Sequence, residues 1–175
     1  MGERINKDFY YLSVAETIAK RSTCIHKQYG AIIVKNDEII STGYTGGPRG
    51  YGNCCDRHAC FKDEFDGGDI QQTTCRAVHA ECNAIISASR ERMLHSTMYV
   101  YGYDLDKREI DQPVGSCVIC RRMIINAGID TVIYADNEIG IYQDGVPYRA
   151  RIVKVDDWTQ DLESLNPENE FGGGY

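Results

Sequence analysis

No apolar run in the 175 residues approaches the roughly 20 needed to cross a bilayer. A membrane partner is therefore not expected. The opening Met1-Gly2-Glu3-Arg4-Ile5-Asn6-Lys7-Asp8 is polar and lacks the apolar stretch of a secretory signal. That makes the cytosol the expected compartment. No internal repeat is visible, so a stacked array is not expected. Lys and Arg are missing from Val155 to Tyr175, a stretch with six acids. Without it, 20 acids face 19 bases, so the formal charge of -7 sits mostly in a tail. No basic cluster is visible elsewhere, which argues against a nucleic-acid partner.

What is present suits one domain. Hydrophobic residues are 42% and charged residues 26%, ordinary globular values that exclude a collagen-like or wholly disordered chain. A chain this long buries about 70% of its unfolded surface, enough for a real core. The expected organisation is one domain over 1–155 and an acidic, mobile tail over 156–175.

Helical spacing of Phe9, Leu12, Ala15, Ile18 and Ala19 predicts a helix over 8–21. Residues 29–34 and 38–44 read as a hairpin across Lys35-Asn36-Asp37. From Thr45 to Cys75 the chain carries six glycines and four cysteines and reads as a long loop, with at most a short helix around Cys60-Phe61-Lys62. Such loops are usually functional or cross-linked. A second helix is expected over about 78–91, a strand over 97–101, a polar loop over 102–115 and a third helix over 117–127. Gly128 sits at that helix's C-cap. Strands over 129–134 and 151–155 complete an α/β layered domain with some parallel pairing.

Eight cysteines in a reducing compartment point to metal binding or catalysis rather than disulfides. Two segments stand out: His79-Ala80-Glu81 and Cys117-Val118-Ile119-Cys120, each opening a helix. Cys117 and Cys120 share one helix face, in a first turn whose dipole favours thiolate. Two thiolates and one imidazole make three ligands for Zn2+ and leave a tetrahedral position for water. A CxxC alone reads equally as a structural zinc knuckle or a redox pair. A lone His is most often a hydrogen-bonded core residue. The combination discriminates, because a structural site needs a fourth protein ligand and no carboxylate two residues from its His. Glu81 could shuttle protons there, and could also stabilise its helix N-terminus as an acidic first-turn residue.

His79-x-Glu81 followed by Cys117-x-x-Cys120 resembles the zinc-dependent nucleoside and nucleotide deaminases. The likeness extends through Arg21-Ser22-Thr23-Cys24, Gly30-Ala31-Ile32-Ile33-Val34, Thr42-Gly43-Tyr44, Gly47-Pro48-Arg49-Gly50, the run Cys75 to Glu81, Asn83-Ala84-Ile85 and the run Met123 to Ile129. These are similar to the deoxycytidylate (dCMP) deaminase branch. The resemblance implies a three-layer α/β/α sandwich around a mixed five-stranded sheet, and hydrolytic deamination of a cytidine-type nucleotide, dCMP to dUMP with release of ammonia. It places a catalytic zinc on His79, Cys117 and Cys120, with Glu81 as the proton shuttle. It also implies a homo-oligomer, a small-molecule nucleotide substrate and nucleotide effectors.

The chain departs from the branch at three points. Ser116 replaces the usual Pro before the CxxC, His26 replaces an Arg, and Thr45 replaces the Asn of Gly-Tyr-Asn-Gly. Thr45, Asn53, His26, Lys27, Ala80 and Ser116 are the expected substrate contacts. Arg49 and Arg76 are further cations that could compensate for the lost Arg. Cys24, Cys55, Cys60 and Cys75 lie where the branch often has cysteine or histidine. A second, structural zinc could use some of them, with His58, and buried free thiols are the alternative. Tyr44, Tyr99, Tyr101 and Tyr103 read as core and interface residues, one of which could stack on a substrate ring. Other readings stay open: deamination of a purine or of a base in RNA, or a zinc-stabilised binding module without catalysis.

Overall fold

The computed structural model describes residues 4–63, 75–111, 115–136, 142–143, 146–147 and 149–158. Helix α1 spans Lys7–Ala19. Asn6 caps it by accepting the Asp8 N–H, and Tyr11, Leu12, Ala15 and Ala19 form its buried stripe. Strands β1 (Lys27–Lys35) and β2 (Glu38–Tyr44) pair antiparallel. Asn36 and Asp37, both at positive φ, make the two-residue turn between them. Helix α2 is the short Cys54–Arg57, ended by His58 in the left-handed region. Helix α3 (Ala80–Ile86) and the single turn α4 (Arg90–Met93) precede β3 (Ser96–Asp104). Strand β4 (Glu109–Ile110), helix α5 (Val118–Ala127) and strand β5 (Ile129–Asp136) follow. Strands β6 (Tyr142–Gln143) and β7 (Val146–Pro147) form a small ladder of their own. Strand β8 (Arg149–Lys154) closes the main sheet and runs into a helical turn over 155–158.

The main sheet runs β2-β1-β3-β5-β8, with β4 added beside β3. Among the described strands only β3 and β5 pair parallel, because α5 carries the chain back between them. Two glycines set the layers. A Cβ on Gly30 would collide with the Ala15 carbonyl oxygen and the Ala19 amide of α1. One on Gly43 would collide with the Ala80 carbonyl oxygen and the Ala84 amide of α3. Ala31 pairs with Gly43 while Gly30 pairs with Tyr44, so the two glycines face opposite sides. Helix α1 therefore covers one face of the sheet and α3 the other. Helix α5 lies beside α3. Ile32, Ile33, Met98, Val100, Val132 and Tyr134 fill the core between the layers. This is the expected three-layer arrangement on a mixed five-stranded sheet, with β4 as a two-residue addition.

Three expected elements differ in detail. The second helix stops at Ile86 rather than about 91, because Ser87 turns its hydroxyl back to the Asn83 carbonyl and the chain restarts at Ser89. The short helix of the long loop lies at 54–57, not around Cys60, where 61–63 form a turn. Residues 102–104 extend β3 instead of starting a loop. Asp104 ends that strand by accepting the N–H groups of Asp106 and Lys107, each at 3.0 Å. Of the expected acidic tail, 159–175 lies outside the described residues. Trp158, just before it, is buried with the Arg121 guanidinium 5.2 Å above its ring. No helix among the described residues is long and apolar enough to cross a membrane.

Candidate active site

The first turns of α3 and α5 converge. His79 is the residue before α3, and Cys117 the residue before α5. The Cys117 sulfur accepts the Cys120 N–H at 3.5 Å, so Cys117 acts as the N-cap of the helix that carries Cys120. His79 Nδ1 lies 3.5 Å from the Cys117 sulfur and 3.4 Å from the Cys120 sulfur. The three ligand atoms are all within 4.8 Å of one another. Zinc bonds of about 2.0–2.1 Å to nitrogen and about 2.3 Å to sulfur give a tetrahedral edge of roughly 3.6 Å. The observed spacing matches that edge, so the donor set fits zinc.

The electrostatics agree with a cation site. Hydrogen bonds from Cys120 and then from His79 pull the Cys117 thiol down to about 3. The contact with Cys117 pushes His79 up to about 9. The pair stands as thiolate and imidazolium. Cys120, 1% exposed, is held as a thiol by the neighbouring sulfurs and by burial. A divalent cation at this point would replace those protons.

Glu81 is 3% exposed. Burial pushes its carboxyl above the ordinary carboxylate range, opposed by hydrogen bonds from its own backbone N–H and from Ser116. Ser116 is buried in turn. Its N–H donates to the Tyr134 hydroxyl at 3.1 Å, and that hydroxyl donates to Ser116 Oγ at 2.9 Å. Arg121 Nε donates to the Ser116 carbonyl at 2.9 Å. Tyr134 and Arg121 thus anchor the segment leading into Cys117. Their patterns read only as strand and helix residues, which is why sequence reasoning passed over them.

The expected substrate contacts divide. Ala80 opens α3 and is buried, and Ser116 adjoins Cys117. Thr45 is buried beside Gly46, which bridges to Val78 next to His79. The Thr45 N–H donates to the Tyr29 carbonyl, and its own carbonyl accepts from Thr23 and Ser22. Asn53 turns its amide to Asp56 at 2.8 Å. His26 is held between Asp63 at 2.7 Å and Asp106 at 2.8 Å. Lys27 donates to Asp111 at 2.8 Å and stands 3.9 Å from Asp104. Tyr29 also donates to Asp111. The two basic residues among the expected substrate contacts therefore already face carboxylates.

The residues expected to hold a second ion are also redistributed. The ligand atoms of His26, Cys60 and Asp63 lie within 4.8 Å of one another. Of the expected set only Cys60 belongs to this group. Cys24 accepts the Lys27 N–H, Cys55 contacts Asp56, and His58 ends α2. Cys54 is close enough to Cys60, Cys24 and Cys75 that they add to the burial that raises its thiol. Asp63 carried no sequence signal beyond its place in the cysteine-bearing loop.

Residues 5–136 match the family model described as "Cytidine and deoxycytidylate deaminase zinc-binding region". The chain is 34% identical over 133 residues to a deoxycytidylate deaminase of Mycobacterium phage D29, covering 73% of this chain and 92% of that protein. It is 32% identical over 131 residues to the deoxycytidylate deaminase of Schizosaccharomyces pombe, covering 73% of this chain but only 36% of that one. The dCMP deaminase of cyanophage S-TIM5, solved in apo form, shares the fold with a TM-score of 0.52 at 24% identity, over 75% of this chain and 84% of that chain. The convergence of His79, Cys117 and Cys120 at two helix starts and the match across most of the chain lead to one assignment: this chain belongs to the zinc-dependent cytidine and deoxycytidylate deaminase superfamily, on the side of its deoxycytidylate deaminase branch.

Proposed function

We propose that this protein is a zinc-dependent hydrolase that removes the ring amine of a cytidine-type nucleotide, with dCMP going to dUMP and ammonia. The observation that carries this reading is the three-ligand cluster flanked by one buried carboxylate. The relatives named above for deoxycytidylate deamination support the substrate.

His79, Cys117 and Cys120 would hold the metal. Zinc there supplies the Lewis-acid charge that makes water a nucleophile near neutral pH. Glu81 takes a proton from the attacking water and delivers it to the ring nitrogen. It then takes the second proton from the newly added hydroxyl and delivers it to the departing amine, so that both protons of the water are used. Its burial suits both halves of that duty, because a carboxyl raised toward neutrality is a stronger base for taking the proton and still acid enough to return it. Ser116, locked by Tyr134 and Arg121, holds the neighbouring wall in place. Thr45 and Ala80 line the approach, with Lys27 and Asn53 as outer contacts, while both ring nitrogens of His26 are taken by Asp63 and Asp106. A homo-oligomer belongs to the same reading, supported by exposed Ile86, Val118 and Ile119 on α3 and α5.

A second reading has a specific observation behind it. The carboxylates on His26 and Lys27 compete with any incoming phosphate, which favours an unphosphorylated nucleoside. A substrate panel tests both: cytosine, cytidine, deoxycytidine, their monophosphates, and adenine and guanine compounds. Ammonia release is expected from the cytidine-type compounds and from zinc-loaded protein only. A ratio of kcat/KM favouring dCMP over deoxycytidine by roughly tenfold or more supports the nucleotide, since that is about 1.4 kcal/mol of added binding. A ratio near or below one supports the nucleoside. No release from any compound sinks the deaminase reading.

The cluster of His26, Cys60 and Asp63 supplies three of the four protein ligands that a second, structural ion would need to stiffen the loop. Zinc counted per chain should fall by one ion in Cys60→Ser while the catalytic ion stays. One ion in both proteins removes the second site.

A further inference from the structure

Cys82 has no part in the chemistry above. It lies three residues after His79, so it projects from the same side of α3 toward α5. Its sulfur is 3.6 Å from the Cys120 sulfur and 3.2 Å from Met123 Sδ. Met123 lies three residues after Cys120 on α5. The two thiols and the thioether thus meet between the helices. Cys82 is not within 4.8 Å of all three ligand atoms, so it flanks the metal cluster rather than joining it. Cys120 is buried, whereas Cys82 is only half-buried.

We propose that Cys82 and Cys120 form an oxidative modification site, at which a hydroperoxide joins the two sulfurs as a disulfide and withdraws Cys120 from the metal cluster. The metal consequence rests on the proposed zinc reading; the disulfide itself does not. The sulfurs are already in van der Waals contact, and a bond of about 2.05 Å needs a further approach of roughly 1.6 Å. The chemistry balances in two steps. Cys82, the more exposed sulfur, attacks the peroxide, the O–O bond breaks, and a sulfenic acid and water form. The Cys120 sulfur then attacks the sulfenic sulfur and the S–O bond breaks. The leaving hydroxide becomes a second water with the Cys120 thiol proton in metal-free protein, or with a solvent proton where a metal has replaced it. One peroxide is reduced and two thiols are oxidised. His79 and Cys117 alone make too few ligands to keep zinc.

The competing partner for Cys120 is Cys117, and the sequence separates the two outcomes. Trypsin places Cys82 in the peptide 77–90 and both Cys117 and Cys120 in the peptide 109–121. Zinc-loaded protein would be treated with hydrogen peroxide, trapped with a thiol-blocking reagent and mapped by mass spectrometry. Zinc release would be followed in parallel with a chromogenic chelator. We expect the two peptides to be joined through Cys82 and Cys120, with zinc released and then regained after dithiothreitol and fresh metal. Cys82→Ala should release zinc roughly tenfold more slowly, and Cys82→Ser serves if the alanine variant is poorly folded. A map with only the internal Cys117–Cys120 link, or with Cys82 still reduced after zinc has gone, overturns the proposal. Formation of the Cys82–Cys120 link in protein that never bound zinc supports the modification site and sinks the metal reading instead.

Discussion

Glu81→Gln should lower kcat by roughly 10²–10⁴-fold, the usual contribution of a positioned general acid–base group. That range corresponds to about 3–5 kcal/mol of transition-state stabilisation. Glutamine has nearly the same shape and can still accept the hydrogen bond from Ser116, so the wall of the site should not move. It cannot take a proton from water or return one to the amine. Zinc content should be unchanged, because His79, Cys117 and Cys120 are untouched. Stability should stay level or rise, since a carboxyl that is 3% exposed is costly to keep charged and an amide is not. Steady-state ammonia release, metal analysis and thermal melting measure the three parts. A variant with more than about a tenth of the parent kcat would show that Glu81 is a structural acid at a helix start and not the proton carrier.

Gly43→Val should damage the same site although Gly43 lies 36 residues before His79 along the chain. Gly43 lies under α3, and any Cβ there meets the backbone of Ala80 and Ala84 rather than a flexible side chain. The helix must lift from β2 to make room. Overpacking of this kind costs about 1–3 kcal/mol, or roughly 3–10 °C in Tm for a chain of this length. The consequence for chemistry is larger. His79 and Glu81 sit at the start of the helix that moves, and a misplacement of about 1 Å can cost roughly 10²-fold in rate. Zinc affinity should fall with activity, because one of the three ligands rides on α3 while the other two ride on α5. Gly52→Ala is the control: nothing lies within 4 Å of a Cβ there, and its effect should stay within about 0.5 kcal/mol. Equal melting temperatures for the two variants would refute the close approach of α3 to β2.

Helix α1 was legible because its apolar residues recur at helical spacing, while its Asn6 cap emerged only from the structure. Helix α5 was legible from both ends, with Cys117 opening it and Gly128 at φ 77 closing it. The hairpin followed from an apolar run, a polar turn and a second apolar run. The end of α3 was not legible: Ala84, Ile85 and Ala88 continue the helical pattern past the point where Ser87 takes the Asn83 carbonyl. A local side-chain bond competes with the helix there, and periodicity does not register it.

The chemistry of the centre follows from the residue types and their spacing. His79-x-Glu81 and Cys117-x-x-Cys120 each occupy a first helical turn, so local geometry alone brings each pair's side chains to one helix end. That the two helix ends meet was decided by packing. It required glycine at 30 and 43 to let helices down onto opposite faces of the sheet, and a parallel β3–β5 pair to return α5 beside α3. Tertiary structure alone also placed the carboxylates on His26 and Lys27, the Tyr134 hydroxyl on Ser116 and the Cys82 sulfur against Cys120. These partners are 18 to 84 residues apart. No local pattern encodes a contact at that range. It exists only once burial of the apolar faces has set the register of the sheet and the seating of the helices.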